Sequence, residues 1–375
     1  MDYQERPNIR SGEINEKRDI QLDAYRALVM MYIVCVIHTV YWFELFNEYV
    51  RSAILFEMPL IFFIAGASQQ LARPKNTWQM IKNRTKRLLR PYYIWVAVLL
   101  IFLAGLTWLG FTQIGKWTYN IHHLTLTDYL KILLTGGSDH IPFYGYTWFI
   151  STYFIISCTF PFQNKLIHLL PKNFYPILLL FICIFANFIH PPVLERELKN
   201  IIFYNFFYII GFLYYKKFSK NTIFILSITA FIMLLSIIFF ADPMPMQDHK
   251  FPADIIFLLF GISMITIISF FISNIKIKKS MIIDLWNQQG YVIYIYQTIL
   301  FTIVYAITYN WIENIAPACI KYIIIATIVF IVATLFALFY KKLSKTVDNY
   351  VRNHVDKLSL IHNRHRHEPA KEDKI

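Results

Sequence analysis

The stretch LDAYRALVMMYIVCVIHTVYWF, residues 22–43, is an apolar run with Arg26 and His38 inside it. A helix of about 20 apolar residues crosses the ~30 Å hydrocarbon core of a bilayer, and this run is long enough to do so. An ionisable group within a membrane helix is costly unless it pairs, lines a water-filled cavity or takes part in chemistry. The run therefore sets the fold class, an integral membrane protein, and marks where chemistry is to be sought.

Working outward, ten such spans are expected, at 24–46, 52–72, 92–111, 147–166, 174–190, 200–215, 222–240, 253–273, 290–309 and 317–340. The chain has 375 residues, 57% hydrophobic and 18% aromatic, with a mean hydropathy of +0.46. No polar stretch is long enough to bury a core of its own. The expected class is an all-α polytopic membrane protein: a polar tail at 1–19, a membrane domain at 20–340 and a basic tail at 341–375. The leading MDYQERPNIRSGEINEKRD lacks the apolar core and small-residue cleavage site of a signal peptide. Cys35, Cys158, Cys183 and Cys319 sit in or beside apolar runs without CxxC spacing and read as core residues, not as a metal site or a disulfide framework.

A formal charge of +13 raises nucleic acid as a partner, but the cations fall in short clusters between the spans. Arg73, Lys75, Lys82, Arg84, Lys86, Arg87 and Arg90 occupy the second connection, and Lys165, Lys172, Lys216, Lys217, Lys220, Lys276, Lys278 and Lys279 the later even ones. By the positive-inside rule these connections and both termini face the cytoplasm, which makes the charge a matter of topology. The long connection at 112–146, with Trp117, His122, His123, Asp128, Asp139, His140 and the stretch GGSDHIPFYGY, falls outside and is a candidate lid. Lipid is the expected environment, in the cell (inner) membrane, and nucleic acid is not an expected partner.

His38 lies beyond the midplane of the first span toward the outside, where a neutral imidazole can take a proton from a hydroxyl or simply bond a neighbouring helix. Glu57, near the outer end of the second span, comes to a similar level if the two helices form a hairpin, and its carboxylate then orients the imidazole as the acid of a triad does. Glu44 competes for that role. Arg26, three residues after Asp23, either pairs with it, snorkels to the interface or holds an anionic group. Arg84, Arg87 and Arg90, spaced by three, present forked donors suited to a polyphosphate as well as to topology. Trp148 at the head of the fourth span suits either an aromatic belt or a stacked sugar ring. Tyr294, Tyr296 and Gln297 are polar groups within the ninth span, and Gln297 must find a hydrogen-bond partner there. No Walker loop, dinucleotide fingerprint, HExxH or GxSxG is present.

In order along the chain, DxxRA…H (Asp23, Arg26, Ala27, His38), FxMPLxFFxxG (Phe56 to Gly66), RxxRLLxPYxxW (Arg84 to Trp95) and TWF (Thr147 to Phe149) resemble the membrane acyltransferase-3 family. The motifs cover roughly the first 160 residues, and the ten-span count extends the similarity over the chain. The resemblance implies transfer of an acyl group, usually acetyl, from cytoplasmic acyl-CoA to a hydroxyl of a sugar or lipid-linked glycan. It implies a catalytic role for His38, with Arg26 and the Arg84, Arg87 and Arg90 segment on the donor side. Three departures stand out. Eleven residues separate Arg26 from His38 where ten are usual, Glu57 occupies a position often held by histidine, and Gln297 replaces a late histidine. A fused SGNH hydrolase-like domain does not fit in the tail.

On this reading acetyl-CoA or another acyl-CoA is the donor, held by Arg26, Arg84, Arg87 and Arg90. The acceptor is a cell-envelope or exported glycan, contacted by Trp148, Tyr294 and Gln297. His38 is the base and Glu57 its orienting acid, with an acyl-histidine as the other route, and no metal is involved. A transporter or flippase for an anionic or glycan substrate uses the same buried groups and predicts movement without CoA release. A scaffold in which His38 is packing glue is the third class.

Overall fold

In the computed structural model, described over residues 19–72, 76–114, 117–119, 121–134, 146–171, 174–191, 195–240, 245–272, 275–278, 280–312 and 317–366, a helix occupies each of the ten expected spans. These are α1 (Ile20–Trp42), α3 (Glu57–Gln70) after a short α2 (Glu48–Ala53), and α4 (Thr77–Trp108). Past the surface helix α5 (Leu126–Leu134) come α6 (Trp148–Leu169), α7 (Phe174–Asn187), α8 (Glu195–Tyr214) and α9 (Lys220–Phe240). The short α10 (Met246–Lys250) leads to α11 (Ile255–Ile272), α12 (Met281–Ile312) and α13 (Ala318–Arg366). Among the described residues, seven helices are long and apolar enough to cross a membrane. The chain is an all-α polytopic membrane protein; among the described residues its strands are one two-residue antiparallel pair, Gln113–Ile114 with Trp117–Thr118.

Two helices run past their expected ends. α4 starts at Thr77, capped by the Asn76 side chain on the Trp78 amide at 3.0 Å, and passes through Pro91 without stopping. Proline removes one backbone hydrogen bond, which a 32-residue helix held on both sides of it tolerates. The arginine segment is therefore a rigid extension of the span. α13 likewise continues to Arg366, so that 341–366 extends the last span as helix. Asp139 and His140 of the candidate lid, with residues 1–18 and 367–375 of the two tails, lie outside the described residues. The described part of that connection is fastened to α4 by Tyr92, whose hydroxyl donates to the Ile132 carbonyl at 2.5 Å.

Long-range contacts gather the connections at two ends. At one end Asp19 caps α1, and its carboxylate accepts from Lys216 Nζ at 2.7 Å, while Gln21 exchanges hydrogen bonds with the backbone of Ile277. At the other, Ser52 Oγ accepts from the Met246 amide, Asn200 Oδ1 from Ala253 and Asn187 Oδ1 from Ile255. Residues 245–254 thus form a strap tied to α2 and α8 across that end, and Ile255 at the head of α11 ties its exit to α7. We call the two the basic end and the strap end.

α3 and α8 pack backbone to backbone through two glycines. A Cβ on Gly66 would fall 1.8 Å from the Tyr208 carbonyl oxygen, and one on Gly211 would fall 1.9 Å from that of Phe63. Lipid offers apolar surface everywhere, so close approach through small residues is what holds such helices together. The pair fixes Glu57, at the first residue of α3, in depth and rotation.

Candidate active site

His38 is the last residue of a π-helical segment, Tyr32–His38, set inside α1. A π-turn takes one more residue than an α-turn, so the eleven-residue interval from Arg26 to His38 is absorbed locally instead of turning His38 by about 100°. The wide turn also leaves room at the Val34 carbonyl, which accepts from Thr39 Oγ1 at 3.0 Å.

The imidazole Nδ1 lies 2.6 Å from Gln297 Oε1. A carbonyl oxygen only accepts, so Nδ1 carries the proton and Nε2 is left with its lone pair. The ring lies among aromatic neighbours, with centroids 5.5 Å from Tyr294 and 6.2 Å from Tyr146. The Tyr294 hydroxyl donates to the Tyr146 carbonyl at 2.5 Å, and the Tyr146 hydroxyl bridges to Ile295 and Thr298, so both rings are held in place.

These groups border a cavity of about 380 Å³. Trp42, Trp148, Phe251 and Phe301 add aromatic wall, and Tyr41, Glu44, Arg51, Gln247 and Lys250 add polar groups. Trp148 is buried and meets Phe251 edge to face at 4.9 Å. Beside the cavity the chain leaves α1 through Glu44 and Phe46, both left-handed at φ 50° and 65°. Such backbone is uncommon for a bulky side chain and clusters near functional sites.

Glu57 stands elsewhere than expected. Its side chain is fully buried, and Oε1 is gripped by the ammonium of Lys250, itself 6% exposed, in a buried ion pair. Oε2 has no hydrogen-bond partner among the described residues. The orienting contact expected from Glu57 is made instead by Gln297, which the sequence reading assigned to substrate. The reason is rotational: Glu57 reaches the right depth, but the α3 and α8 packing turns it toward the strap.

The expected donor residues gather toward the basic end of α1, twelve residues or about 18 Å of helix from His38. Arg26 lies 3.6 Å from Asp23, and the charges of Arg84 and Arg87 reach it. Arg84 is committed structurally: it donates to the Tyr153 hydroxyl at 2.9 Å and to Gln69 Oε1 at 2.7 Å, joining α4 to α6 and α3. Arg87 and Arg90 are exposed on the same helix. Of the predicted site residues, His38, Trp148, Tyr294 and Gln297 share the cavity, Glu57 stands behind its wall, and the arginines form a separate basic group.

Lys250, Gln247, Phe251, Tyr146 and Arg51 were not anticipated. Gln247 and Lys250 lie on the short α10 and Arg51 on the short α2, with Tyr146 and Phe251 outside the α-helices, all between spans where a polar or aromatic residue ordinarily meets solvent. Tyr146 ends the GGSDHIPFYGY stretch of the candidate lid, and the signal available for the strap was the run PMPMQDHKFPAD from 243 to 254, whose prolines make a short connection stiff. Within the strap His249 Nδ1 donates to the Asp254 carboxylate at 2.6 Å, and that hydrogen bond raises the His249 pKa above the ordinary histidine value. Among the described residues no group of three or more His, Cys, Asp or Glu could hold a metal ion.

A family model described as an acyltransferase domain matches residues 19–341, from the cap of α1 into α13. No curated protein matches the chain, and no solved structure does.

Proposed function

The chain belongs to the acyltransferase-3 family, and from that premise we propose that it moves an acetyl group from acetyl-CoA to a hydroxyl of a glycan seated in the aromatic cavity. The observation that carries the reading is the His38–Gln297 contact, which holds a lone pair on Nε2 at the wall of a cavity large enough for a substrate. The donor's polyphosphate cannot enter hydrocarbon, so it docks at the basic end on Arg26, Arg87 and Arg90, in a membrane whose cytoplasmic face carries that end. The acyl arm then runs between the helices toward His38.

In the transfer, Nε2 takes the proton of the acceptor hydroxyl as its oxygen attacks the thioester carbonyl. The C–S bond breaks, the new C–O bond closes the ester, and the imidazolium returns the proton to the thiolate, releasing CoA. Gln297 contributes by fixing the tautomer, and the aromatic wall by keeping water from competing for the acyl group. A base held this way supplies about 10²–10⁴-fold of rate.

The test is radiolabelled acetyl-CoA incubated with the purified protein in lipid vesicles and an envelope glycan extract. Label passing to the glycan supports the proposal. Label found on the protein before glycan is added assigns an acyl-histidine step. Label that stays in acetyl-CoA with the well-folded protein refutes acyl transfer.

A further inference from the structure

The charges around the cavity bear on which acceptor fits, an inference that rests on the acyl-transfer reading. Three charged side chains line it, Glu44, Arg51 and Lys250. Each cation has a carboxylate against it: Glu48 lies 2.9 Å from Arg51, and Glu57 binds Lys250. The third charged group, Glu44, is itself acidic. Among the described residues the wall therefore offers no uncompensated positive charge to an acidic sugar, and desolvating a carboxylate or phosphate against them would go unrepaid.

The same wall is rich in neutral hydrogen-bonding capacity. An ammonium has three donors, and Lys250 gives one to Glu57 while lining the cavity. Gln247 adds an amide, and the Tyr41 hydroxyl is buried without a hydrogen-bond partner among the described residues. Trp148 and Phe251 present apolar ring surface beside them. Paired donors and acceptors next to aromatic faces match a pyranose, whose hydroxyls both give and take hydrogen bonds and whose C–H face is apolar.

We propose that the Glu57–Lys250 pair, with Gln247 and the Trp148 and Phe251 rings, selects an uncharged, hydroxyl-rich sugar ring as acceptor and rejects an acidic one. Glu57 then serves the acceptor side by neutralising Lys250 and aiming its remaining donors, and Lys250 is the specificity-determining residue. At about 380 Å³ the cavity is at the small end of ligand pockets and suits one ring of a glycan.

The experiment separates the envelope glycan extract by anion exchange into an uncharged and an acidic pool, matched for total sugar, and measures CoA release from acetyl-CoA by the full-length protein in lipid. Release at least about tenfold faster with the uncharged pool is expected. A second arm uses the double variant Glu57→Gln/Lys250→Met, which removes both charges at nearly constant volume. Its half-saturating concentration of uncharged glycan should rise about tenfold while that of acetyl-CoA stays in place. Release that follows the acidic pool, or a double variant that saturates with glycan as the wild type does, overturns the proposal. Absence of release with the unfractionated extract would instead remove the acyl-transfer reading, and the acceptor assignment with it.

Discussion

His38 Nδ1 and Gln297 Oε1 meet at 2.6 Å although they stand 259 positions apart in the chain. The contact ties α1 to α12 at the cavity and decides which imidazole nitrogen is free. A neutral amide does here what a carboxylate does in a triad, with one difference: it holds the tautomer without adding charge to a buried site.

On the proposed mechanism Gln297 is therefore a positioning residue. Gln297→Leu should lower kcat by roughly 10²-fold, within the ~10²–10⁴-fold range of a positioned base, with a smaller effect on KM for the glycan. Gln297→Glu, which keeps an accepting oxygen at the same reach, should recover part of the loss. Steady-state kinetics on the two variants checks this; a change confined to glycan KM would return Gln297 to substrate binding.

Glu57 and Lys250 depend on each other for burial. Removing one partner of a buried pair leaves an uncompensated charge and typically costs ~3–5 kcal/mol. Lys250→Met should lower the thermal unfolding midpoint in detergent clearly, and adding Glu57→Gln should restore most of it. Additive losses in the double variant would contradict the pairing.

The π-segment leads to a prediction about length. Because Tyr32–His38 holds one residue more than α-helix requires, deleting Cys35 should let the segment relax to α-helix with His38 still facing Gln297. Inserting an alanine after Cys35 should turn His38 by about 100° out of the cavity. CoA release retained in the deletion and lost in the insertion is the expected pair of results. An inactive, folded deletion variant would show that the bulge does more than absorb a residue.

The arginines of α4 separate into one bonded to neighbouring helices and two that are exposed, and on the proposal it is the exposed ones that meet the donor. Arg84 bonds Tyr153 and Gln69, whereas Arg87 is exposed. Arg87→Ala should raise KM for acetyl-CoA about tenfold, equivalent to ~1.4 kcal/mol, with an unchanged melting midpoint. Arg84→Ala should also lower that midpoint, because it leaves partly buried partners unsatisfied. Equal melting losses in both variants would contradict the division.

Much of this was legible in the sequence. Hydrophobic run length placed a helix in every expected span, and the eleven-residue interval between Arg26 and His38 already required a bulge or a change of facing. Depth was legible for His38, Glu57 and Trp148, which were expected toward one side of the bilayer and lie on the strap side, whereas Tyr294 and Gln297 carried no such expectation. Rotation about each helix axis was not, since it is set by contacts such as Gly66 on Tyr208, distant in sequence. Glu57 was for that reason assigned to the wrong neighbour. Lys250 was missed because a lysine in a short connection ordinarily reaches water, and only the tertiary fold draws the strap over the cavity.

The most direct test is acceptor-dependent release of CoA from acetyl-CoA by the purified protein in lipid, wild type against His38→Ala. The account predicts release by the wild type on adding envelope glycan and a loss of at least about 10²-fold in the variant at equal folded amount. Equal release by the two proteins would contradict a catalytic His38, and with it the central claim.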